Sequence, residues 1–364
     1  MNLAERPVLV FWETTRACHL SCIHCRASAV TDPLPGELTT REGFRLIDSV
    51  TAFGEPYPTL IVTGGDPLRR GDVFPLLEHA REAGVRTALS PAVTDLLTDD
   101  ALRMAKEAGV SSISISLDGS HAGMHDTIRR RSGNFKKTVA AIRRAGELGL
   151  NVQVNTAVMK LNMMDMAEIF RVVRELGVKV WEVFFVVRVG RGAGVRDLSA
   201  GDCESVCNFL YDASRYGVLL RTVEAPFIRR IARLRVGDYW QDESYLRLRE
   251  SLLRSQGPPS APSSLAPRGT LDGDGIVFVG YDGSVYPGGL LPLEVGNVRK
   301  ERIADVYRRN ETLNRIRERR FLGYCGSCDY RWACGGSRAR AYSGSGDPFG
   351  SDPACIEVAR PARV

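Results

Sequence analysis

The sequence predicts an α/β protein, a partial TIM-like (β/α)6 barrel followed by a small C-terminal domain. Apolar runs of strand length alternate six times with amphipathic helical stretches between residues 7 and 187. Several helices end in AGV, LGL or LGV, where a glycine closes the helix and apolar residues begin the next strand. Because apolar strands joined by helices are typical of parallel sheets with right-handed crossovers, we expect the series to curl into a barrel two units short of the full eight.

Each predicted element follows from its local pattern. The strands are short apolar or alternating runs, at 7–14, 59–65, 85–91, 111–119, 151–158 and 179–187. The helices between them carry apolar residues at helical spacing, at 40–52, 72–84, 99–109, 134–149 and 166–177. Functional loops of such a sheet lie at the carboxyl ends of the strands, which is where the motifs CHLSCIHC, GGDP, LDG and RVGRG fall.

The alternation stops after Gly217, so we predict three parts. Residues 1–217 form the barrel, and residues 218–268 form a helical linker with a Pro- and Ser-rich loop, GPPSAPSSLAPRG. Residues 269–364 form the C-terminal domain. This domain begins with a predicted β-hairpin, because GIVFVGYDGSVYPGG alternates apolar and polar residues around an Asp-Gly turn.

Composition and charge exclude several classes of protein. The net charge of +6 is spread along the chain without a basic tail, so we expect no nucleic-acid partner. No apolar run approaches the length of a membrane span, and MNLAERPVLVF lacks the order of a signal peptide, so we expect a cytoplasmic protein with no membrane partner. The nine cysteines should then stay reduced, and their grouping near both ends of the chain favours metal binding over disulfides.

The first cysteine group, CHLSCIHC, has three thiols, at Cys18, Cys22 and Cys25. A structural zinc site and a four-iron cluster held entirely by protein each require four ligands. Three thiolates therefore leave one metal position open, where a small molecule can bind. A zinc site completed by His19 or His24 is the alternative.

The pattern ETTRACHLSCIHC, with TGGDP at 63–67, resembles the radical S-adenosylmethionine (radical SAM) superfamily over roughly residues 7–200. The resemblance implies that Cys18, Cys22 and Cys25 are catalytic and bind a [4Fe–4S] cluster with one open iron. It implies that S-adenosylmethionine (AdoMet) chelates this iron and is cleaved reductively, and that the 5′-deoxyadenosyl radical takes a hydrogen from the substrate. The protein then supplies position and excludes water and oxygen.

The same resemblance implies AdoMet contacts at the ends of successive strands. Gly64 and Gly65 let the backbone approach a ligand closely. Ser116 and Asp118 share one face of their strand and are expected to reach the ribose, and Arg129, in HDTIRRRSG, is expected to pair with the cofactor carboxylate. The predicted AdoMet-binding residues are Gly64, Gly65, Asp66, Pro67, Ser90, Ser116, Asp118, Arg129 and Asn155.

The second cysteine group consists of Cys325, Cys328, Cys334 and Cys355. It resembles the SPASM and twitch extensions of radical enzymes, and four thiolates are enough to close a four-iron cluster. The full SPASM pattern has two auxiliary clusters, but two places expected to serve the first of them read Gly288 and Ser337 here. We therefore predict one auxiliary [4Fe–4S] cluster, suited to electron transfer. A zinc ribbon is the alternative, because four thiolates alone do not distinguish zinc from iron.

Two further groups carry no motif of their own. Cys203 and Cys207 lie one helical turn apart in DCESVCNFLYDA, which predicts a place on a core face. Arg188, Arg191 and Arg196 follow the sixth strand, where they could meet substrate carboxylates or solvent.

The string GGSRARAY, followed by GD and DPAC, resembles radical enzymes of the alternative heme and heme d1 pathways, which act on tetrapyrrole side chains. The family pattern has a cysteine where Ser337 stands here. The resemblance implies a tetrapyrrole or another carboxylate-rich small molecule as substrate, and reduced ferredoxin or flavodoxin as electron donor. One alternative is maturation of a ribosomally made peptide, and the other is a non-catalytic iron–sulfur electron carrier, which would gain nothing from an exposed iron.

Overall fold

The computed structural model describes residues 2–235, 240–265 and 269–359. The strands are β1 (Leu9–Glu13), β2 (Thr59–Thr63), β3 (Thr87–Leu89), β4 (Val110–Ser116), β5 (Asn151–Val158), β6 (Val180–Phe185), β7 (Leu219–Val223), β8 (Leu271–Asp272), β9 (Gly275–Val279), β10 (Ser284–Tyr286) and β11 (Gly296–Asn297). The first seven helices are α1 (Thr40–Thr51), α2 (Val73–Glu82), α3 (Asp99–Glu107), α4 (Ala122–Arg129), α5 (Asn134–Glu147), α6 (Met166–Glu175) and α7 (Ala200–Ala213). The later helices are α8 (Ile228–Leu234), α9 (Glu243–Gln256), α10 (Ile303–Arg309), α11 (Glu311–Arg317), α12 (Gly323–Ser327), α13 (Arg338–Ser345) and α14 (Ile356–Ala359).

Strands β1 to β7 lie in chain order, and each pairs in parallel with the next. The predicted α/β barrel class is confirmed, with one parallel strand more than the six predicted. Strand β7 was not predicted because LLRTV is short, contains a charged residue and follows the point where the repeat ends. Its carboxyl end places Glu224 at the same edge of the sheet as the cysteine loop and the GGDP turn.

The C-terminal part continues the same sheet. Strand β9 pairs in parallel with β1, with Leu9 opposite Ile276. The predicted hairpin is present, since β10 pairs antiparallel with β9. The cysteine loop after β1 therefore lies between the barrel strands on one side and the C-terminal strands on the other.

The predicted linker contains ordered elements. Besides β7 it holds α8 and α9, and α9 packs against α6 and α7 through the buried side chains of Tyr245, Leu248 and Leu252. Residues 236–239, residues 266–268 of the Pro- and Ser-rich loop and residues 360–364 of the predicted C-terminal domain lie outside the described residues. Within the described part, no helix is long and apolar enough to cross a membrane.

The barrel strands separate an apolar face from a polar one. Val154, Trp181 and Val183 point to one side, where they join a buried core with residues of α5, α6 and α7. Because side chains alternate along a strand, Asn155 and Glu182 point to the other side. The helices thus cover one face of the sheet and leave the polar face for the site.

Candidate functional site

The first cysteine group occupies the loop between β1 and α1. Its sulfurs accept hydrogen bonds from Leu20 N to Cys18 Sγ at 3.3 Å, from Ala29 N to Cys25 Sγ at 3.5 Å and from Arg129 Nη1 to Cys22 Sγ at 3.6 Å. Burial raises the pKa of the Cys18 thiol to about 12, and Cys22 and Cys25 add to the shift, so the three thiols are close neighbours. Three thiols that each face an N–H donor, two of them buried and Cys25 half-buried, fit the thiolate ligands of an iron–sulfur cluster.

Arg191, in the loop after β6, holds the cysteine loop in place. Its hydrogen bonds run from Nε to Cys22 O at 2.9 Å, from Nη1 to Ala29 O at 2.8 Å and from the backbone N to Cys25 O at 3.0 Å. A Cβ at Gly190 would lie 2.2 Å from Arg26 O, so glycine permits this close approach. Of the three arginines that follow the sixth strand, Arg191 binds backbone carbonyls, whereas Arg188 and Arg196 are exposed.

The Gly-Gly turn after β2 packs directly on the start of the cysteine loop. Gly65 N donates to Thr15 O at 2.7 Å, and Asp66 N donates to Ala17 O at 2.8 Å. A Cβ at Gly64 would lie 2.4 Å from Thr15 O, and one at Gly65 would lie 2.5 Å from Ala17 O. Since both clashes are with backbone, only glycine fits at these two positions, and the turn presents bare backbone beside the cysteines.

Asp66 links this turn to the loop after β3. Its carboxylate accepts from Thr94 Oγ1 at 2.8 Å, Leu68 N at 3.2 Å and Ala92 N at 3.4 Å. Burial raises the pKa of Asp66, and these hydrogen bonds oppose the shift. The next residue, Pro67, is buried, and Ser90 is half-buried where β3 ends. The side chain of Asp66 thus holds the loops together, and the AdoMet contact expected at this position, through the backbone, stays a prediction.

Asp118 and Arg129, both predicted to contact AdoMet, are paired with each other. Asp118 Oδ2 lies 2.6 Å from Arg129 Nη2, and Asp118 Oδ1 accepts from Ala157 N at 2.7 Å. Burial raises the pKa of Asp118, but Arg129 and His24 outweigh burial, so the net shift is downward. The ionised carboxylate therefore fixes the guanidinium beside Cys22.

His24 contacts the same carboxylate, with 3.7 Å between its Nε2 and Asp118 Oδ2. Burial lowers the pKa of His24 to about 4, against the opposing charge of Asp118, so the ring is neutral at physiological pH. Among the described residues, no three His, Cys, Asp or Glu side chains come close enough together to hold one metal ion. The corners of a four-iron cluster lie farther apart than the ligands of a single ion, so this finding concerns single-ion sites.

A polar row crosses four strands on the face that the helices leave free. Ser116 of β4 pairs with Asn155 of β5, Asn155 with Glu182 of β6, and Glu182 with Arg221 of β7. Gln153 joins the row, because its Nε2 donates hydrogen bonds to Asn155 Oδ1 at 2.8 Å and to Glu182 Oε2 at 2.9 Å. Burial raises the pKa of Glu182, whereas Arg221 and Gln153 lower it. Sequence reasoning found Ser116 and Asn155 but missed the other three, because single polar residues in apolar strands form no motif.

The second cysteine group lies in the C-terminal part of the chain. Cys325 is in α12, Cys328 and Cys334 lie between α12 and α13, and Cys355 directly precedes α14. Backbone N–H groups face its sulfurs: Asp352 N to Cys325 Sγ, Tyr330 N to Cys328 Sγ and Gly336 N to Cys334 Sγ, each at 3.4 Å. Burial raises the pKa of the Cys334 thiol to about 12, and Cys355 and Cys325 add to the shift, so these thiols too are close neighbours. The donor set again fits thiolate ligands of a cluster.

The two positions that depart from the SPASM pattern meet at one pair of acids. Ser337 Oγ donates to Glu224 Oε2. A Cβ at Gly288 would lie 1.7 Å from Asp272 Oδ1, so any larger residue there would displace the Asp272 side chain. Burial and the neighbouring Glu224 raise the pKa of Asp272 well above its usual value, and the two carboxyls hydrogen-bond to each other. Glu224 has a φ of 59°, in the left-handed region that non-glycine residues rarely adopt.

Cys203 and Cys207 lie elsewhere, in the hydrophobic core between α7 and the sheet. Their exposed fractions are 2% and 0%, and burial raises the pKa of Cys203 to about 12. The predicted place on a core face is where the structure puts them.

Comparison with known proteins agrees with this geometry. The model of the radical SAM superfamily matches residues 12–173. AdoMet-dependent heme synthase of Nitratidesulfovibrio vulgaris is 37% identical, over 95% of this chain and 91% of that protein. The enzyme of the same name from Methanosarcina barkeri is 34% identical, over 97% of both chains. The solved structure of anSMEcpe with bound AdoMet has a TM-score of 0.70 at 16% identity, covering 96% of this chain and 94% of that one, and shows the shared fold.

These relatives match the chain along nearly its whole length, through both cysteine groups. The resemblance inferred from CHLSCIHC and GGDP is thereby confirmed. The chain belongs to the radical SAM superfamily, as an enzyme homologous to the AdoMet-dependent heme synthases.

Proposed function

We propose that this enzyme acts on a carboxylate-bearing tetrapyrrole in a branch of heme biosynthesis. The observation that carries the proposal is the similarity to two AdoMet-dependent heme synthases over at least 95% of this chain and 91% of theirs. Such similarity spans nearly the whole chain and not only the barrel. The proposal therefore rests on the whole chain and not on the superfamily motif alone.

Membership of the superfamily implies a [4Fe–4S] cluster and AdoMet, and we propose that Cys18, Cys22 and Cys25 hold that cluster. When bound, the cluster supplies the electron that cleaves AdoMet and so gives the enzyme its radical. The protein contributes position. The bare backbone of Gly64 and Gly65 lies against the cysteine loop, so their peptide groups are available to the methionine part of AdoMet.

Other AdoMet contacts follow from the faces of the strands. Ser116 and Asn155 stand in register on the free face of the sheet and are proposed to meet the ribose. Arg129 keeps its role beside the open iron, because one of its nitrogens faces Cys22 Sγ. Asp118 and Asp66 are assigned to positioning, since both carboxylates are satisfied within the protein.

The substrate is proposed to lie against the polar row and the mouth of the barrel. Arg221 ends the row next to Glu182. Arg26 follows the third cysteine directly. Its Nη1 lies 3.2 Å from Glu13 Oε1, and its guanidinium carbon lies 4.4 Å from the centre of the Phe278 ring. A planar guanidinium pairs well with a carboxylate, so these two arginines are candidates for the acid side chains of a tetrapyrrole.

We propose that Cys325, Cys328, Cys334 and Cys355 hold a second [4Fe–4S] cluster. Four thiolates leave no open iron, so this cluster is suited to transfer electrons and not to bind substrate. Reduced ferredoxin or flavodoxin is the proposed external donor, and the cytosol, where such carriers and reduced thiols occur, is the proposed location.

The test is an anaerobic assay of the reconstituted enzyme with dithionite and AdoMet. We expect 5′-deoxyadenosine, and we expect Fe-coproporphyrin III, a tetrapyrrole with several carboxylate side chains, to be converted to heme. A short precursor peptide offered in parallel tests the peptide-maturation alternative. Formation of 5′-deoxyadenosine with no change in the tetrapyrrole, or modification of the peptide instead, would overturn the proposed substrate.

A further inference from the structure

Arg338 is a buried cation next to the second cysteine group. It is the first residue of α13, and only 2% of it is exposed. Its guanidinium is held by neutral groups: Nη1 donates to Pro348 O at 2.9 Å and to Gly350 O at 2.8 Å, Nε donates to Gly336 O at 3.3 Å, and the group lies 4.1 Å from the ring centre of Phe321. These contacts fix the plane of the guanidinium.

The remaining nitrogen, Nη2, has no hydrogen-bond partner among the described residues. Its position can be read from Gly336. A Cβ on Gly336 would lie 2.6 Å from Arg338 Nη2 and 2.9 Å from Cys325 Sγ. Asp352 Cβ lies 2.9 Å from the same point, so Arg338 Nη2 lies close to both Cys325 Sγ and the side chain of Asp352.

The charge of Arg338 also lacks a protein partner. In residues 2–235, 240–265 and 269–359, no carboxylate oxygen lies within ion-pair distance of its guanidinium. The carboxylate of Asp352 is used by Arg340 Nη1 at 3.6 Å and by the N–H groups of Ser337 and Ala354. Asp272 interacts with Arg338 electrostatically, but its hydrogen-bond partner is Glu224, and none of its oxygens lies within ion-pair distance of the guanidinium.

A buried guanidinium is costly without an anion, and arginine cannot escape the cost by losing its proton. A four-iron cluster held by four thiolates is an anion, and reduction adds one more negative charge. Positive charge and N–H donors near its sulfurs favour the reduced form and raise the reduction potential.

We propose that Arg338 is the counter-ion and N–H donor of the cluster held by Cys325, Cys328, Cys334 and Cys355, and that it sets the potential at which this cluster accepts an electron. The inference rests on the second cluster of the proposed function. It assigns Arg338 a positioning role, which acts through the cluster and not on AdoMet or substrate.

The experiment measures the reduction potential of this cluster alone. The full-length chain with Cys18, Cys22 and Cys25 replaced by alanine is reconstituted with iron and sulfide under anaerobic conditions, so that one cluster gives the signal. Its midpoint potential is then measured by dye-mediated titration with electron paramagnetic resonance detection. The variants are Arg338→Met, which removes the charge, and Arg338→Lys, which keeps the charge but loses the planar fork.

We expect Arg338→Met to keep its iron and to be at least tenfold less reduced than the parent at the same solution potential, a shift of about 59 mV for a one-electron couple. Arg338→Lys should shift less. The matched control is Arg320→Met on the same module, where the arginine is 55% exposed and pairs with Glu318 at 2.7 Å, and its potential should equal that of the parent.

An unchanged potential in Arg338→Met would overturn the inference, as would bound zinc with no reducible signal. If Arg338→Met does not fold, Arg338→Gln, which also removes the charge, takes its place, and a potential equal to that of the parent would overturn the inference equally well. Failure of the proposed function has a different signature, because it would be seen in the unmodified enzyme as missing AdoMet cleavage or an unchanged tetrapyrrole.

Discussion

The two cysteine centres are alike in their sulfurs and differ in the charges beside them. In both, sulfurs accept N–H hydrogen bonds from nearby groups. Beside the first, Arg129 pairs with Asp118 at 2.6 Å, so the protein compensates its own cation. Beside the second, Arg338 meets carbonyls and an aromatic ring, and no carboxylate of the described residues lies within ion-pair distance. Arg191, beside the first centre, likewise binds backbone carbonyls, so the contrast concerns only Arg129 and Arg338, which each lie next to a cysteine sulfur.

The largest expected effect separates the catalytic roles of the centres. Cys22→Ala should abolish 5′-deoxyadenosine formation, because no binding energy elsewhere replaces the missing redox group. Iron after anaerobic reconstitution should fall from about eight to about four atoms per chain, since one of two four-iron clusters is lost. Formation of 5′-deoxyadenosine at the parental rate by this variant would break the distinction between the centres.

The second prediction concerns the C-terminal centre. Cys328→Ala should retain AdoMet cleavage in the absence of substrate and lose turnover of the substrate, because the cluster proposed for this centre would transfer an electron after the radical step. Metal binding and folding are linked in such small modules, so the variant must first be shown to be soluble. A soluble Cys328→Ala enzyme that converts substrate at the parental rate would remove the second cluster from the reaction.

A third prediction tests the contact between the Gly-Gly turn and the cysteine loop. Gly65→Ala would place a Cβ 2.5 Å from Ala17 O, where the backbone of the cysteine loop must shift. Overpacking of this kind costs about 1–3 kcal/mol of stability, and we expect weaker AdoMet binding in equilibrium titrations. Gly71→Ala is the matched control, because its Cβ would meet no atom within 4 Å. Equal affinities in both variants would show that the turn does not shape the AdoMet site.

The sequence was informative where chemistry follows from residue spacing. The cysteine groups, the glycines at 64 and 65 and the alternation of strands and helices all appear as local patterns, and the superfamily and fold followed from them. Strand β7 could not be found in this way, because a short strand with an arginine at its centre resembles a loop.

Partnerships between distant side chains were beyond the reach of sequence reasoning. Asp118 and Arg129 pair with each other, a contact that residue spacing does not predict, and their expected contacts with AdoMet stay predictions. The acid pair of Glu224 and Asp272 comes from two strands nearly fifty residues apart and leaves no motif. Arg338 comes close to Cys325 around Gly336, whose φ is 66°, and the spacing of residues in the sequence does not predict this positive φ.

A fourth prediction concerns Cys203 and Cys207, the cysteine pair on α7 to which no function is assigned. Cys207→Ser places a hydroxyl in the core, where the side chain is 0% exposed, and should cost about 1–2 kcal/mol of unfolding free energy. Both centres should keep their iron, and AdoMet cleavage should be unchanged. Loss of iron from this variant would mean that a third cysteine region takes part in cluster binding.

The smallest expected effect sharpens the contrast between the two buried acids. The pKa of Asp118 is lowered in the fold, whereas that of Asp272 is raised, chiefly by burial and Glu224. A carboxyl with a raised pKa binds more protons in the folded than in the unfolded chain. Its contribution to stability is therefore fully present below the usual value of 3.8 and is lost as pH rises through the raised value.

Asp272→Asn cannot ionise, so the free energy of unfolding should fall less between about pH 5 and pH 8 in the variant than in the parent. The slope that remains comes partly from Glu224, whose pKa is also raised by burial. Denaturant unfolding of both proteins at a series of pH values checks this. Parallel profiles would show that Asp272 is already ionised at neutral pH, and an ionised Asp272 could serve Arg338 as a counter-ion. That outcome would weaken the proposal that Arg338 has no counter-ion in the protein and depends on the cluster of the C-terminal centre.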